Sequence, residues 1–458
     1  MRKLLFIVLA LVGMQLGAQD MAHYKRIVKE LASAKYQGRG YAKGGANKAG
    51  RFLEKEYRKA GVDEVTRQPF TLDIQTFAGR MEMKTLSDST DPTRPPLKGE
   101  EKKSHFKGDL EGIEASPLRG GLEGSWKKLQ PGVDFSMREY SPGVYGEFPV
   151  YHVDTLNFDA DRMFADLQKP EYANCLVACE FWFTFKHREA FSRLQKAGEC
   201  PNAGLIYTWP SPIKFFKAYG HRVVDKPIVW VTPEAIEGVS RVQLAVDAKF
   251  LKGYECFNVI AKIEGQRHDS CYVFTAHYDH IGNLGKKVFY AGANDNASGS
   301  AAIVTLAAYY AKHRPAYDMY FLAFSGEDAN LRGSTYFVEH PVVPLSQIKY
   351  LFNIDMVGDN NPELYCEASD EGMPGFARFD RINKEKQYVT SLHRGDLAAN
   401  SDHSVFAVRH VPCIFFENEK GDAFQYYHTI FDNKDHIVTD SYEPLFRLVR
   451  DYIERDGK

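Results

Sequence analysis

The sequence lacks a charge imbalance: 58 Lys and Arg stand against 60 Asp and Glu, a formal net charge of −2 over 458 residues. The two signs are interspersed, which excludes the basic surface that a nucleic-acid backbone requires. Cysteine is scarce, at seven. That odd count, at these spacings, is not the framework of a disulfide-stapled small domain. Cys175 and Cys179 lie in a β-like run, "ANCLVACEFWF", and extended chain would hold them ~13 Å apart, too far to bridge. With no second Cys or His cluster nearby the pair is weak evidence for a metal site, and most of the seven are expected to be buried, inert thiols. Long apolar runs are missing beyond the N-terminus, so no internal segment approaches a membrane span.

What is present is an ordinary globular composition, 44% hydrophobic, 13% aromatic and 26% charged, with material for two domains. "MRKLLFIVLALVGMQLGAQD" opens with Arg2 and Lys3, runs apolar to about Leu16 and then offers Gly17 and Ala18. That order predicts a signal peptide over 1–18, hence an exported protein, periplasmic or secreted. No cysteine follows the run, which argues against a lipid anchor; a retained anchor helix is the alternative.

From Met21 to about Val62 the pattern is helical, with Phe52, Leu53 and Tyr57 on one side and Gly61 as C-cap. "FTLDIQTF" (70–77) alternates like a strand. Between about Leu86 and Pro131 the chain turns to Ser, Asp, Pro, Gly and Lys and reads as linker or exposed loop. Short β-like runs follow, "FPVYHV", "CLVACEFWF", "GLIYTW" and "KPIVWV", with one helix, "HREAFSRLQKAG". The run "VQLAVDAKF" from Val242 is expected to pair with 70–77 across this unit. The expected organisation is therefore a discontinuous domain, 19–85 and 241–458, interrupted by a smaller α/β insert over 86–240. From Asn258 onward short apolar runs alternate with helices, which predicts an α/β fold: a mostly parallel mixed sheet sandwiched by helices.

In such sheets chemistry collects at the C-terminal strand ends. "CYVFTA" is followed by His277 and Asp279, "MYFLAF" by Glu327 and Asp328, "YLFNI" by Asp355, and a late tyrosine pair by His428. Asp295, in "GANDNASG", stands at the entrance of a helix whose Ile303, Leu306, Ala307 and Tyr310 share a face, with Asn296 and Ser298 as N-caps. Each residue alone has an ordinary structural role open to it. Together, two imidazoles and three carboxylates, one of them shared, suit two zinc ions with three protein ligands each and room for water. Asp295 is the carboxylate placed to be shared.

"TAHYDHIG", "GANDNASG", "FSGEDANLRGS", "NIDMVGD", "SDHSVF" and "YYHT" resemble, in order and spacing, metallopeptidase family 28. This is the co-catalytic zinc aminopeptidase group related to glutamate carboxypeptidase and transferrin receptor. The similarity runs from about Tyr254 to Ile437, and "YQGRGYAKGGANKAGRFLEKEYRKAGV" resembles the family's opening. The insert resembles a protease-associated domain.

The resemblance implies a zinc exopeptidase fold, phosphorylase/hydrolase-like, and two zinc ions per chain. His277 and Asp355 would hold one ion, Asp328 and His428 the other, and Asp295 would bridge. Asp279 would orient His277, and Glu327 would be the general base. Tyr427 would donate a hydrogen bond to the oxyanion, or simply pack. Asp402 and His403 would support the site, and the Asp295–Asn296 bond is a candidate cis peptide. One departure stands out: the family usually carries Glu-Glu where this chain has Glu327-Asp328, a ligand arm one methylene shorter. The implied activity is removal of N-terminal residues from peptides. A glutaminyl cyclase, a carboxypeptidase using Arg332, Arg394 or Arg409, and a metal-free binding protein are the alternatives. Phe424 and Tyr426 are candidate pocket residues. No nucleic-acid partner and no stable membrane insertion after signal cleavage are expected; oligomeric state is not legible.

Overall fold

The computed structural model describes residues 20–87, 126–211, 213–214, 220–418 and 421–456. The expected signal segment and most of the polar stretch after Ser87 lie outside these. Two eight-stranded sheets organise the chain. In the larger, the strand order is Glu64–Thr76, Lys249–Ile263, Tyr317–Phe324, Arg267–His277, Ile348–Ile354, Cys413–Glu417, Leu364–Ala368, Leu392–Gly395. The four central strands are mutually parallel, and antiparallel pairs flank them. Both faces of the central strands are covered, so their side chains alternate between two apolar clusters. Tyr272, Phe274 and Ala276 face the helices Met21–Leu31, Gly45–Ala60, Gly299–Tyr310, Met373–Lys386 and Tyr442–Glu454, while Cys271 and Val273 face Arg332–Glu339 and His403–Ala407. Phe274 stacks on Phe321 at 5.0 Å and on Phe352 at 4.8 Å between ring centroids. Such pairs add about 0.5–1.5 kcal/mol each beyond area burial and lock the strand register.

The helical expectations for the N-terminal segment hold, with Gly61 at φ 79° returning its N–H to the Arg58 carbonyl. The expected pairing across the insert is shifted. Glu64–Thr76 pairs with Lys249–Ile263, whereas Val242–Val246 pairs with Met81–Thr85 in the second sheet. The second sheet thus gathers strands from Met81 to Val246, a wider span than 86–240. The cause is local: the chain crosses from one sheet to the other at Phe77–Arg80 and again at Asp247–Ala248, and Gly79 packs against Asp247 too closely for any Cβ. Beside the second sheet, "EFWF" leaves the strand at Glu180 and turns helical over Phe181–Lys186, and Arg188–Gln195 forms the expected helix. All seven cysteines are buried and unpaired. Among the described residues no helix is long and apolar enough to cross a membrane.

Candidate metal centre

The parallel strands end on one edge of the large sheet, and the polar residues found there are buried. His277 closes the strand Arg267–His277 and is 1% exposed. Its Nδ1 donates to the Asp279 carbonyl at 3.2 Å. A carbonyl can only accept, so this bond places a proton on Nδ1 and aims Nε2 at the neighbouring carboxylates. That Nε2 lies 3.2 Å from Asp295 Oδ1 and 3.2 Å from Asp355 Oδ2. Asp355 follows the strand Ile348–Ile354, and Ser401 donates to its Oδ2.

Asp295 turns its other oxygen the opposite way. Oδ2 is 3.0 Å from His428 Nε2, which in turn is 3.4 Å from Asp328 Oδ1. One carboxylate thus faces two donor groups, one oxygen to each. The loop that presents it is held from several sides. Asp432 accepts the N–H groups of Asn294 and Asp295 at 2.8 and 2.9 Å. Arg39, wholly buried, donates to the carbonyls of Leu31, Tyr278, Ala291, Gly292 and Asp295. Asn296 Oδ1 caps the following helix by accepting from the Gly299 N–H at 2.7 Å. That helix, Gly299–Tyr310, is buried on nearly all sides, so the loop has a rigid floor. The Asp295–Asn296 peptide is cis.

The electrostatics are those of a cation site. Burial lowers the pKa of His277, but Asp355, Glu327 and Asp295 outweigh it and hold the imidazole well above its ordinary value. Burial likewise lowers that of His428, and Asp295 and Asp328 bring it up to about 10. Asp295 is driven well below the usual carboxylate range, because His280, His277 and His428 overcome its burial. Asp295 Oδ2 and Asp355 Oδ1 are buried with no hydrogen-bond partner. Buried charges persist only when paired or on metals, so the donor set fits bound cations, and its nitrogen and oxygen ligands are those zinc takes.

Around this centre the structure sorts the remaining expected residues. Glu327 follows the strand Tyr317–Phe324 with Oε2 3.9 Å from His277 Nε2. Burial, then Asp328, Asp402 and Asp355, raise its pKa well above the ordinary glutamate value against the pull of His277. The Asp279 carboxylate does not orient His277 directly. Its Oδ1 is 3.8 Å from Nδ1 and accepts instead from the Glu327 N–H, while Oδ2 accepts from Tyr41 at 2.5 Å. Asp279 therefore positions the Glu327 backbone. The Tyr427 ring stacks on His428 at 3.8 Å, and burial together with the cluster carboxylates raises its hydroxyl pKa. Asp402 is fully buried, and burial with the nearby Asp279 and Asp355 brings it up to about 7. His403 points away, its Nε2 3.3 Å from Glu367. Phe424 stacks with Tyr427, and Tyr426 with His436. Arg332, Arg394 and Arg409 are exposed.

Sequence reasoning missed His280, which lies inside "TAHYDHIG" and is 0% exposed with Nδ1 2.9 Å from Asp328 Oδ2. The one available signal was a second histidine three places past a ligand candidate at a strand end. Arg39 and Asp432 were missed because each acts on backbone far away in sequence.

Residues 258–453 match the model for peptidase family M28. That match covers 196 of the 458 residues. The aminopeptidase YwaD of Bacillus subtilis is 28% identical over 236 residues, 49% of this chain and 50% of the relative. An aminopeptidase of Pseudomonas aeruginosa is 31% identical over 168 residues, 34% of this chain and 29% of the relative. The chain thus spans about half or less of the length of these curated relatives. In solved structures, a zinc aminopeptidase from Bacillus subtilis superposes with a TM-score of 0.66 at 18% identity, over 95% of each chain. An M28 peptidase precursor from Shewanella amazonensis gives 0.67 at 16%, over 98% of this chain and 96% of that one. At such identity the likeness is one of fold, and it extends through both sheets.

Proposed function

We propose that this protein is an exported zinc aminopeptidase that holds two zinc ions and hydrolyses the first peptide bond of unblocked peptides. The observation that carries the reading is Asp295, whose Oδ1 faces His277 and whose Oδ2 faces His428. His277 and Asp355 complete the first position, and Asp328 with His428 the second. Zinc held there supplies Lewis acidity to the scissile carbonyl and lowers the pKa of a water. Glu327, with its raised proton affinity, takes the proton from the attacking water and returns it to the departing amine. Asp279 and Tyr41 hold the start of the Glu327 turn so that this carboxyl stays beside His277. Tyr427 stands ready to donate from its protonated hydroxyl to the oxygen on which negative charge develops. The relatives' printed names, aminopeptidase and zinc aminopeptidase, support the same activity.

The test is zinc content per chain, measured alongside amino-acid release from paired unblocked and N-blocked peptides. Near two zincs with cleavage of unblocked peptides alone is expected. Conversion of N-terminal glutamine with loss of ammonia and no chain cleavage, or uptake of no zinc, overturns the reading.

A further inference from the structure

We propose that Lys214 selects the substrate: its ammonium, carried in from the second sheet, takes a carboxylate of the peptide lying within one residue of the bond that is cut. The inference rests on the aminopeptidase reading above and adds to it a specificity-determining residue and the chemical class of peptide preferred.

Lys214 follows the strand Gly204–Thr208, one of the parallel strands of the second sheet, yet its Nζ lies 5.9 Å from the centroid of the Tyr427 ring. That ring in turn stacks on the His428 ring at 3.8 Å between centroids. Together the two separations put the ammonium at most 9.7 Å from the centre of the His428 imidazole. Packing fixes this reach at both ends. Ile213, the preceding residue, is 0% exposed in an apolar cluster with Leu205, Tyr207 and Trp230. Two residues past His428, Ile430 packs on the apolar cluster that gathers the second sheet's side chains, and a Cβ on Gly132 would lie 2.8 Å from Ile430 Cγ2. The second sheet is therefore seated on the loop that carries Tyr427 and His428.

The ammonium is half-buried. Burial lowers its pKa, and no neighbouring carboxylate offsets that pull. Attraction to the Tyr427 ring, at the outer limit of ~6 Å for such contacts, compensates little, so a partner brought by the substrate gains what the protein leaves unpaired. An ammonium repels the free N-terminus of a peptide and attracts its carboxylates. Extended chain spans ~3.3–3.6 Å per residue, so from a carbonyl beside Tyr427 the carboxylate within reach belongs to a residue flanking the scissile bond. It comes either from an acidic side chain there or from the C-terminus of a dipeptide.

Steady-state kinetics on the zinc-loaded full-length protein decide the matter with three peptide pairs whose members differ by one negative charge. Asp-Ala-amide against Asn-Ala-amide reads an acidic first residue, Leu-Asp-amide against Leu-Asn-amide an acidic second one, and Leu-Ala against Leu-Ala-amide the C-terminus. The charged member of at least one pair is expected to be favoured at least ~10-fold in kcat/KM, through KM, and that pair identifies the source. Lys214→Met, which keeps an apolar stem beside Tyr427, is expected to bring that ratio to about 1; Lys214→Glu should invert it and Lys214→Arg retain it. Wild-type ratios near 1, or a ratio unchanged in Lys214→Met, overturn the assignment and leave the aminopeptidase reading intact. A variant that slows both members of the pair equally shows that Lys214 only packs on Tyr427, and overturns it too. A zinc-loaded wild-type chain that cleaves none of the peptides overturns both readings.

Discussion

The guanidinium of Arg39 donates to the backbone carbonyl of Asp295 at 2.9 Å, across 256 positions of sequence. Its other N–H groups reach four further carbonyls of the same neighbourhood, while Asp432 holds the Asp295 amide. The carboxylate that faces both donor groups is therefore anchored through its main chain on both sides. Arg39→Lys is expected to lower stability by about 2–4 kcal/mol and to reduce zinc content. An ammonium cannot span the carbonyls that a planar fork reaches, and a buried acceptor left unpaired carries its full desolvation penalty. Thermal melts with metal analysis check this.

Glu327→Gln removes the proton acceptor and leaves the donors around Asp295 in place. Turnover is expected to drop by about 10²–10⁴-fold with zinc content unchanged. Asp295→Asn is expected to lose activity and zinc together. Near-normal activity in Glu327→Gln would remove Glu327 from its assigned role.

Gly292 adopts φ +60°, and a Cβ there would lie 2.2 Å from the Asp295 carbonyl oxygen and 2.4 Å from the His280 ring. Gly292→Ala is expected to destabilise the chain by at least about 2 kcal/mol and to weaken zinc binding, since the only relief is to move the loop. Denaturant melts and a zinc titration read both effects.

Removal of metal by phenanthroline should abolish activity reversibly and lower the melting temperature, because carboxylates packed at this density then repel one another. Zinc restored at a hundred times its dissociation constant is expected to return about 2.7 kcal/mol per site. A melting temperature indifferent to zinc would contradict the buried-cluster reading.

Away from the centre, Glu56 is buried against the helix Met21–Leu31 and pairs with Lys59, Arg26 and His23. Burial works to raise its pKa, but these partners bring it below the ordinary value. A depressed carboxyl contributes stability above its unfolded pKa of about 4.3 and loses it as pH falls through the folded value. Glu56→Gln should therefore melt lower than the parent at pH 7, with the gap closing below about pH 4. Melting curves across that range test it.

Much of the fold was legible because its signals are local. Short apolar runs alternating with helical periodicity announced the covered, mostly parallel sheet. The position of polar residues just past those runs brought His277, Asp295, Asp328, Asp355 and His428 to one edge in prospect, and the structure brings these side chains together. Less legible was where the chain passes between sheets, because Val242–Val246 suits either neighbour by pattern, and the crossing at Gly79 and Asp247 selects the second. The partner of the Asp279 carboxylate was misplaced for a similar reason. Spacing puts Asp279 beside His277, yet the turn aims its oxygens at the Glu327 amide and the Tyr41 hydroxyl.

By itself the sequence determined which residue types stand at the strand ends and that the helix after Asp295 begins at a capped, small-residue turn, since periodicity and capping act over a few residues. Only the tertiary structure decided that Arg39 and Asp432 grip the Asp295 loop and that His280 turns inward onto Asp328. These contacts join segments far apart in the chain, and their geometry is set by packing and by the need to satisfy buried charge.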